Sequence, residues 1–277
     1  MTHPLRIGYL VPQFPGQTHI FFWREIRALE ELGIDVHVLS TRRPPDGIIA
    51  HDWSDDAMAR TTYLGRIHAG KALGGLTRLV PRGLPLWMAR GGAKFAKDAA
   101  LAIPAAEALL SYSRKHGLDH VHVHSCGRAA LVAGFARRAG GVPYSLTLHG
   151  PLADYGAGQG FKWERAAFAT IITRRLLAEV EDTLAGHLPP RLVVQPMGVD
   201  TDRLRRTTPY AVPEKGRPVR LFSCARLNVI KGHKDSMSAV RQLLDQGVDV
   251  RLEIAGEDDE GGTGYRKVLE AHLKKLR

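Results

Sequence analysis

The sequence predicts an α/β protein with two doubly wound parallel sheets, the second of which is incomplete. Short apolar runs alternate with segments of helical periodicity along almost the whole chain, which is typical of parallel strands joined by helices. A polar, Pro-containing stretch at residues 201–217 interrupts the alternation, which restarts near residue 218. The second series contains two strands and two helices, whereas a doubly wound sheet normally has about five or six strands. We therefore expect a first domain at residues 1–200, a linker at 201–217 and a partial second domain at 218–277.

The elements of the first domain follow from the spacing of apolar residues. Residues 6–11 are apolar enough for a buried strand, and helical spacing predicts a helix over 19–32 that Gly33 ends. A strand follows at 34–40, and the charged, Pro-rich residues 41–56 predict a loop. The remaining strands are predicted at 120–124, 144–149, 168–173 and 191–195, and the remaining helices at 98–116, 127–139 and 174–185.

The second domain repeats the pattern on a smaller scale. Strands are predicted at 219–224 and 248–255, and helices at 234–246 and 265–276. A sheet of two strands has edges that need cover, because unpaired backbone groups on an edge strand readily pair with other chains.

Composition is that of a soluble globular protein, with 44% hydrophobic and 24% charged residues. No apolar run approaches the roughly 20 residues that a membrane span needs. The amino terminus has no signal-peptide pattern, and Cys126 and Cys224 lie too far apart in sequence to form a disulfide framework. We therefore expect a cytoplasmic protein.

The formal net charge of +11 is concentrated in one stretch. Between Arg60 and Lys97 there are eight basic residues and no acidic one, interleaved with Leu, Trp, Met and Phe. Such a stretch fits an anionic membrane surface or a nucleic acid. An Arg-rich solvated surface explains it equally well. Only charge supports nucleic-acid binding, so we predict no nucleic-acid partner.

The strongest candidate site follows the strand at 219–224. Arg226 and Lys231 stand five residues apart in the next loop, and Gly232 precedes a predicted helix. Two fixed cations beside a helix N-terminus suit a diphosphate, because Arg binds two oxygens at once and the free helix N–H groups favour an anion. The alternative is that both cations are solvated loop charges.

A second candidate is the loop after the first strand, which contains Gly16, Gln17 and Thr18. A glycine at a strand-to-helix turn lets a ligand approach the backbone. It is equally compatible with a simple turn in which Thr18 caps the helix. The loop lacks the G-x-G-x-x-G pattern of a dinucleotide site.

Histidines follow two of the central strands. His149 ends a predicted strand, where open α/β sheets bind ligands, and it can donate a hydrogen bond to a sugar hydroxyl or to a developing charge. His120, His122 and His124 alternate along one strand and so share a face. They span about 13 Å, too far to close around one ion, so we predict no metal site. His124 is the one expected to face the ligand crevice.

In their order and spacing, these segments resemble the GT-B family of retaining glycosyltransferases often called family 4. The resemblance covers nearly all of the chain. Its entry segment is most similar to the bacterial branch that builds exopolysaccharide or colanic-acid-type polymers. The matching segments are residues 14–25 (FPGQTHIFFWRE), 122–124 (HVH), 147–150 (TLHG), 196–200 (PMGVD), 224–233 (CARLNVIKGH) and 252–256 (LEIAG).

The resemblance implies two Rossmann-like domains, the first binding the acceptor and the second a nucleotide-diphosphate sugar. It implies that Arg226 and Lys231, with Gly232, bind the donor diphosphate and stabilise the leaving group. It places His149 beside the donor sugar and lets Gly16 approach that sugar. Gln17, Thr18 and His124 are expected on the acceptor side. The sugar would transfer with retained configuration, and no cofactor or metal is expected.

The resemblance also implies an acceptor and a location. A lipid-linked or oligosaccharide acceptor at the inner membrane face would suit the basic stretch. In this family the second domain usually goes on to a Glu-x7-Glu motif, which these 277 residues do not reach. We therefore expect weak or absent turnover from this chain. The alternative is a non-catalytic acceptor-binding or assembly subunit.

Overall fold

The chain divides into two compact units, residues 1–200 and 201–277. The computed structural model describes residues 3–45, 51–65, 84–212, 214, 216–258 and 264–277.

Unit 1, residues 1–200, is built on a seven-stranded sheet in the order β3-β2-β1-β4-β5-β6-β7, with every neighbouring pair parallel. This confirms the predicted α/β class with a parallel sheet. The strands are β1 (Arg6–Gln13), β2 (Asp35–Arg42), β3 (Thr62–Tyr63), β4 (His120–His124), β5 (Tyr144–Leu148), β6 (Ala169–Ile171) and β7 (Leu192–Val194).

Helices cover both faces of this sheet. They are α1 (Ile20–Glu31), α2 (Ser54–Arg60), α3 (Leu84–His116), α4 (Arg128–Arg138), α5 (Gln159–Trp163) and α6 (Arg174–Thr183). Helix α4 is buried along residues 129–136, because it packs on the sheet and against α3. An all-apolar surface is what such a doubly covered helix requires.

The two faces of the sheet have separate cores because successive side chains of a strand point to opposite sides. In β1, Tyr9 and Val11 join Phe22 and Ile26 of α1 in one core. Leu10 joins the larger core, which α3 and α4 cover on the other face. Tyr9 therefore lies on the face of the sheet that α1 covers.

Unit 2, residues 201–277, pairs β8 (Val219–Cys224) with β9 (Val250–Ala255) in parallel. Helices α7 (His233–Asp245) and α8 (Tyr265–Leu276) accompany them. Apolar side chains are exposed in this unit, among them Phe222 at 66% and Ile230 at 85%.

The prediction from sequence was wrong between residues 41 and 97. Helix α2 begins at Ser54, inside the predicted loop at 41–56, and β3 follows at Thr62–Tyr63, where no strand was predicted. Helix α3 begins at Leu84 rather than near Asp98. Gly92 interrupts α3 with a positive φ of 65°, so regular helical geometry does not run unbroken through this segment. Residues 66–83 of the basic stretch lie outside the described residues.

Three apolar residues of the described part of the basic stretch belong to the core of unit 1, whereas Met88 is exposed. Leu84 and Phe95 are buried in the larger core, and Trp87 packs against it. Arg60 forms an ion pair with Glu30 and lies over the Trp23 ring. Lys94 and Lys97 are exposed. In the part of the chain that the structure covers, we find no helix with the length and apolarity to cross a bilayer.

Candidate active site

Strand order places a crevice at the carboxyl ends of β1 and β4. β1 is paired with β2 on one side and β4 on the other, so the connections leave this point in opposite directions. Open α/β sheets bind ligands outside such a switch point. The loop after β1, the turn at Ser125 and the residue His149 all follow strands at this edge.

The loop after β1 is tightly packed around Gly16. A Cβ on Gly16 would lie 2.6 Å from the His19 ring, so this buried position requires glycine. His19 N donates to Gly16 O over 3.0 Å, and the backbone oxygen of Gln17 accepts from His51 Nε2 over 2.9 Å. Thr18 is exposed. His19 stands at the N-cap of α1 without a side-chain cap bond, so the predicted Thr18 cap is wrong.

His149 lies in a cluster with two residues from neighbouring elements. His149 Nε2 is 3.1 Å from His124 Nδ1, and His124 Nε2 is 3.1 Å from Glu25 Oε2 in a close but bent contact. Tyr9 donates its hydroxyl proton to the same Glu25 oxygen over 2.5 Å. His124 has no exposed surface, so it lies behind His149 instead of lining an open crevice.

Aromatic rings surround this cluster, and the resulting burial shifts the pKa values of its members. The ring centroid of Phe22 lies 4.7 Å from that of His124 and 5.5 Å from that of His149. Burial lowers the pKa of His149 to about 4, although Glu25 opposes the shift. Burial also lowers the pKa of His124 well below the ordinary value of a histidine. It raises the pKa of Tyr9 well above the ordinary value of a tyrosine. At pH 7 both imidazoles are therefore neutral, and His149 acts through hydrogen bonds without a positive charge.

Two hydrogen bonds to buried or neighbouring groups hold the loop after β5 in place. Lys162 is buried, and its Nζ donates to Tyr155 O over 2.7 Å. Burial lowers the Lys162 pKa to about 8. Leu152 N donates to the Glu179 carboxylate over 2.8 Å. These bonds fix the backbone that follows His149.

The alternating histidines of β4 form a hydrogen-bonded row with hydroxyls of the neighbouring strands. His122 Nδ1 is 2.7 Å from Ser145 Oγ, and His122 Nε2 is 2.8 Å from Thr147 Oγ1. His120 Nε2 also reaches Ser145 Oγ, at 2.8 Å. Both His122 nitrogens therefore have hydroxyl partners. The described residues contain no group of three or more His, Cys, Asp or Glu side chains able to hold a metal ion.

In unit 2, the predicted diphosphate loop follows β8. Arg226 is partly buried and Lys231 is exposed. Residues 229–231 form a single 3₁₀ turn, and Gly232, in the left-handed region at φ 66°, is the N-cap of α7. Buried His233 holds the loop, with its Nε2 3.0 Å from Arg226 O. Helix α7 begins at His233, so Lys231 lies two residues and Arg226 seven residues before its first residue.

Sequence reasoning missed Glu25 and Tyr9. The signal was present for Glu25, because it lies between Phe22 and Ile26, the buried positions of α1. An acidic side chain beside the apolar stripe of a helix calls for a partner in the core. Tyr9 gave no such signal, since a strand tyrosine is ordinarily a core residue.

The parallel sheet with helices on both faces and a switch point between β1 and β4 defines a doubly wound α/β fold, in which ligands bind at the carboxyl ends of the strands. Residues 19–205, well over half of the chain, match the family model described as "Glycosyl transferase 4-like domain". The chain belongs to this family.

Relatives and solved structures agree with this assignment. The chain is 24% identical over 272 residues to a Salmonella typhimurium protein named as the colanic acid biosynthesis glycosyltransferase WcaL, covering 91% of this chain and 64% of that protein. It is 28% identical over 275 residues to the 2-deoxystreptamine glucosyltransferase of Streptomyces kanamyceticus, covering 90% and 66%. The chain thus spans about two thirds of the length of these relatives.

Two solved structures show the same fold. The lipopolysaccharide outer core galactosyltransferase WaaB matches with TM-score 0.61 and 14% identity, over 98% of this chain and 65% of that one. Sucrose-phosphate synthase from Thermosynechococcus elongatus matches with TM-score 0.64 and 15% identity, over 98% and 68%. These neighbours are GT-B glycosyltransferases, which confirms the fold that the sequence resemblance implied.

Proposed function

We propose that the chain belongs to a retaining glycosyltransferase that moves a sugar from a nucleotide-diphosphate sugar to a saccharide or lipid-linked acceptor in cell-surface polysaccharide assembly. Family membership supports sugar transfer. The relative named for colanic acid biosynthesis supports the polysaccharide assignment. The Arg226–Lys231 loop is the observation that carries the proposal.

The loop has the chemistry that a diphosphate leaving group requires. Arg226 offers a planar fork for two oxygens, and Lys231 adds a compact charge before the α7 N-terminus. Negative charge grows on the diphosphate as the glycosidic bond breaks, so fixed cations favour the transition state over the ground state. We expect this charge to be balanced without a metal ion.

The carboxyl edge of the unit 1 sheet would supply uncharged groups for the sugar. Neutral His149 and the Gly16 loop, with Gln17 and Thr18, offer hydrogen-bonding groups at the carboxyl edge of the sheet. Such groups suit sugar hydroxyls. Retention requires the acceptor hydroxyl to attack on the face that the diphosphate leaves.

Another part of the proposal concerns location. A polyprenyl diphosphate acceptor would lie in an anionic leaflet on the cytoplasmic side. The basic stretch between Arg60 and Lys97 would then hold the protein at that surface.

Binding of nucleoside diphosphates tests the proposal directly. UDP, GDP and ADP are titrated calorimetrically into the wild-type chain and into the variants Arg226→Ala and Lys231→Ala. Loss of one charge-assisted contact costs about 1.5–3 kcal/mol, which corresponds to roughly 10- to 100-fold weaker binding. Arg251→Ala is the matched control, because Arg251 is exposed near the opposite end of β9.

Unchanged affinity in both loop variants would refute the assignment of this loop. Transfer is then measured with radiolabelled nucleotide sugars and lipid-linked or oligosaccharide acceptors, and the anomeric configuration of the product tests retention. Acceptor binding without any nucleotide binding would favour the non-catalytic alternative.

A further inference from the structure

The cluster behind His149 forms a continuous chain of polar atoms. It runs from the Tyr9 hydroxyl to Glu25 Oε2, then to His124 Nε2, and from His124 Nδ1 to His149 Nε2. Tyr9, Glu25 and His124 come from three separate elements, β1, α1 and β4. The row of polar atoms ends at His149, the residue after β5. Each link joins two atoms 2.5–3.1 Å apart, and the link between His124 Nε2 and Glu25 Oε2 is a bent polar contact rather than an aligned hydrogen bond.

Donors and acceptors along this chain can be assigned from one end. A carboxylate oxygen only accepts, and a neutral imidazole has one N–H donor and one bare nitrogen. His124 Nε2 lies 3.1 Å from Glu25 Oε2, so the proton belongs on that nitrogen. The opposite tautomer would place the lone pair of the fully buried His124 nitrogen against the partly exposed Glu25 carboxylate, which is a repulsive contact.

The assignment then passes to His149. With its proton on Nε2, His124 offers a bare Nδ1 to His149 Nε2, 3.1 Å away. His149 must therefore carry its own proton on Nε2, which leaves Nδ1 bare. The other titratable groups around the pair are Tyr9, His19, His122 and Tyr155.

We propose that Glu25 and His124 are positioning residues that lock His149 in its Nε2–H tautomer, so that His149 Nδ1 accepts a hydrogen bond from a ligand hydroxyl. This deepens the proposed function and rests on it for the ligand, a saccharide. A bare imidazole nitrogen binds a hydroxyl proton and repels phosphate oxygens, which only accept. His149 therefore selects the sugar part of a donor and does not bind its diphosphate.

NMR reads the tautomer without any ligand or turnover. Two-bond ¹H–¹⁵N spectra of ¹⁵N-histidine-labelled protein at pH 7 distinguish a protonated from a bare ring nitrogen by chemical shift. His149→Asn and His124→Asn assign the two rings by loss of their signals. We expect Nε2–H as the dominant form of both His124 and His149. A dominant Nδ1–H form of His149 would overturn the proposal.

Variants on α1 test whether Glu25 sets the tautomer. Glu25→Met keeps the length of the side chain and removes the acceptor, so His124 should shift its proton to Nδ1 and His149 should follow. Glu31→Met is the matched control, because Glu31 is an exposed acid on the same helix. It should leave both tautomers unchanged.

A His149 tautomer that is unaltered in folded Glu25→Met would refute the role of Glu25. Where Glu25→Met fails to fold, the wild-type spectrum alone decides. Failure of nucleotide binding in the Arg226 and Lys231 experiment leaves this result untouched, since the spectrum needs no nucleotide.

Discussion

Acid stability of unit 1 depends on His122, whose imidazole is enclosed between the Ser145 and Thr147 hydroxyls. Burial, reinforced by His124, lowers its pKa from 6.5 to about 3. Protonation therefore favours the unfolded chain. The contribution of His122 to the free energy of unfolding is intact above pH 6.5 and falls by about 1.4 kcal/mol per pH unit below it, down to about pH 3. At pH 4.5, two pH units below 6.5, the loss is about 3 kcal/mol.

Urea unfolding of wild type and His122→Gln at pH 7.0 and 4.5 measures this loss. All four tryptophans belong to unit 1, so their fluorescence follows that unit alone; they are Trp23, Trp53, Trp87 and Trp163. At pH 7.0 the variant should be less stable by about 1–3 kcal/mol, because buried hydroxyls lose a partner. Between the two pH values, wild type should lose about 2–3 kcal/mol more than the variant.

The comparison cancels the acid sensitivity of His124 and His149, which both proteins retain. His3→Gln, at an exposed histidine, controls for removal of an imidazole. Parallel losses in wild type and His122→Gln would refute the reasoning, because they would mean that His122 accepts a proton as easily in the folded protein as in the unfolded chain.

Three further predictions concern unit 2, the metal requirement and the membrane. Gly256→Ala should destabilise unit 2 by about 1–3 kcal/mol, because its Cβ would lie 2.0 Å from Ala225 O; faster amide hydrogen exchange in β8 and β9 measures this, and Gly198→Ala, in open space, is the control. Nucleoside-diphosphate binding should persist in EDTA because Arg226 and Lys231 offset the diphosphate charge; binding that EDTA abolishes and Mg²⁺ restores would contradict this. The protein should pellet with anionic vesicles more than with neutral ones, and less as salt rises; equal pelleting would remove the membrane from the proposal.

Sequence predicted the regular part of the fold because periodicity there reflects burial. The strand over His120–His124 was predicted with the observed bounds, and so were Val219–Cys224 and Tyr265–Leu276. Between residues 41 and 97 the pattern failed. β3 has two residues, too few for a period, and Gly92 breaks α3 at one residue without ending it.

The candidate site could be located from sequence but not assembled. His149 and Arg226 each follow a strand, so topology places each of them at the carboxyl edge of its own sheet. Contact between Glu25 and His124 depends on the rotation of α1 over the sheet. The packing of Phe22 and Ile26 in the core fixes that rotation. The sequence pattern of α1 does not specify the position of Glu25 accurately enough to predict a 3.1 Å contact with His124.

Charge separates the two candidate binding regions in a way that suits a nucleotide sugar. The loop after β8 presents two cations, whereas the cluster at His149 is neutral, because its rings are too deeply buried to hold a proton at pH 7. A neutral imidazole with a bare nitrogen accepts a hydrogen bond from a hydroxyl but offers no positive charge to a phosphate. Under the proposed function, the burial that lowers the pKa of His149 would suit it to a sugar hydroxyl, and the two cations of unit 2 would suit the diphosphate.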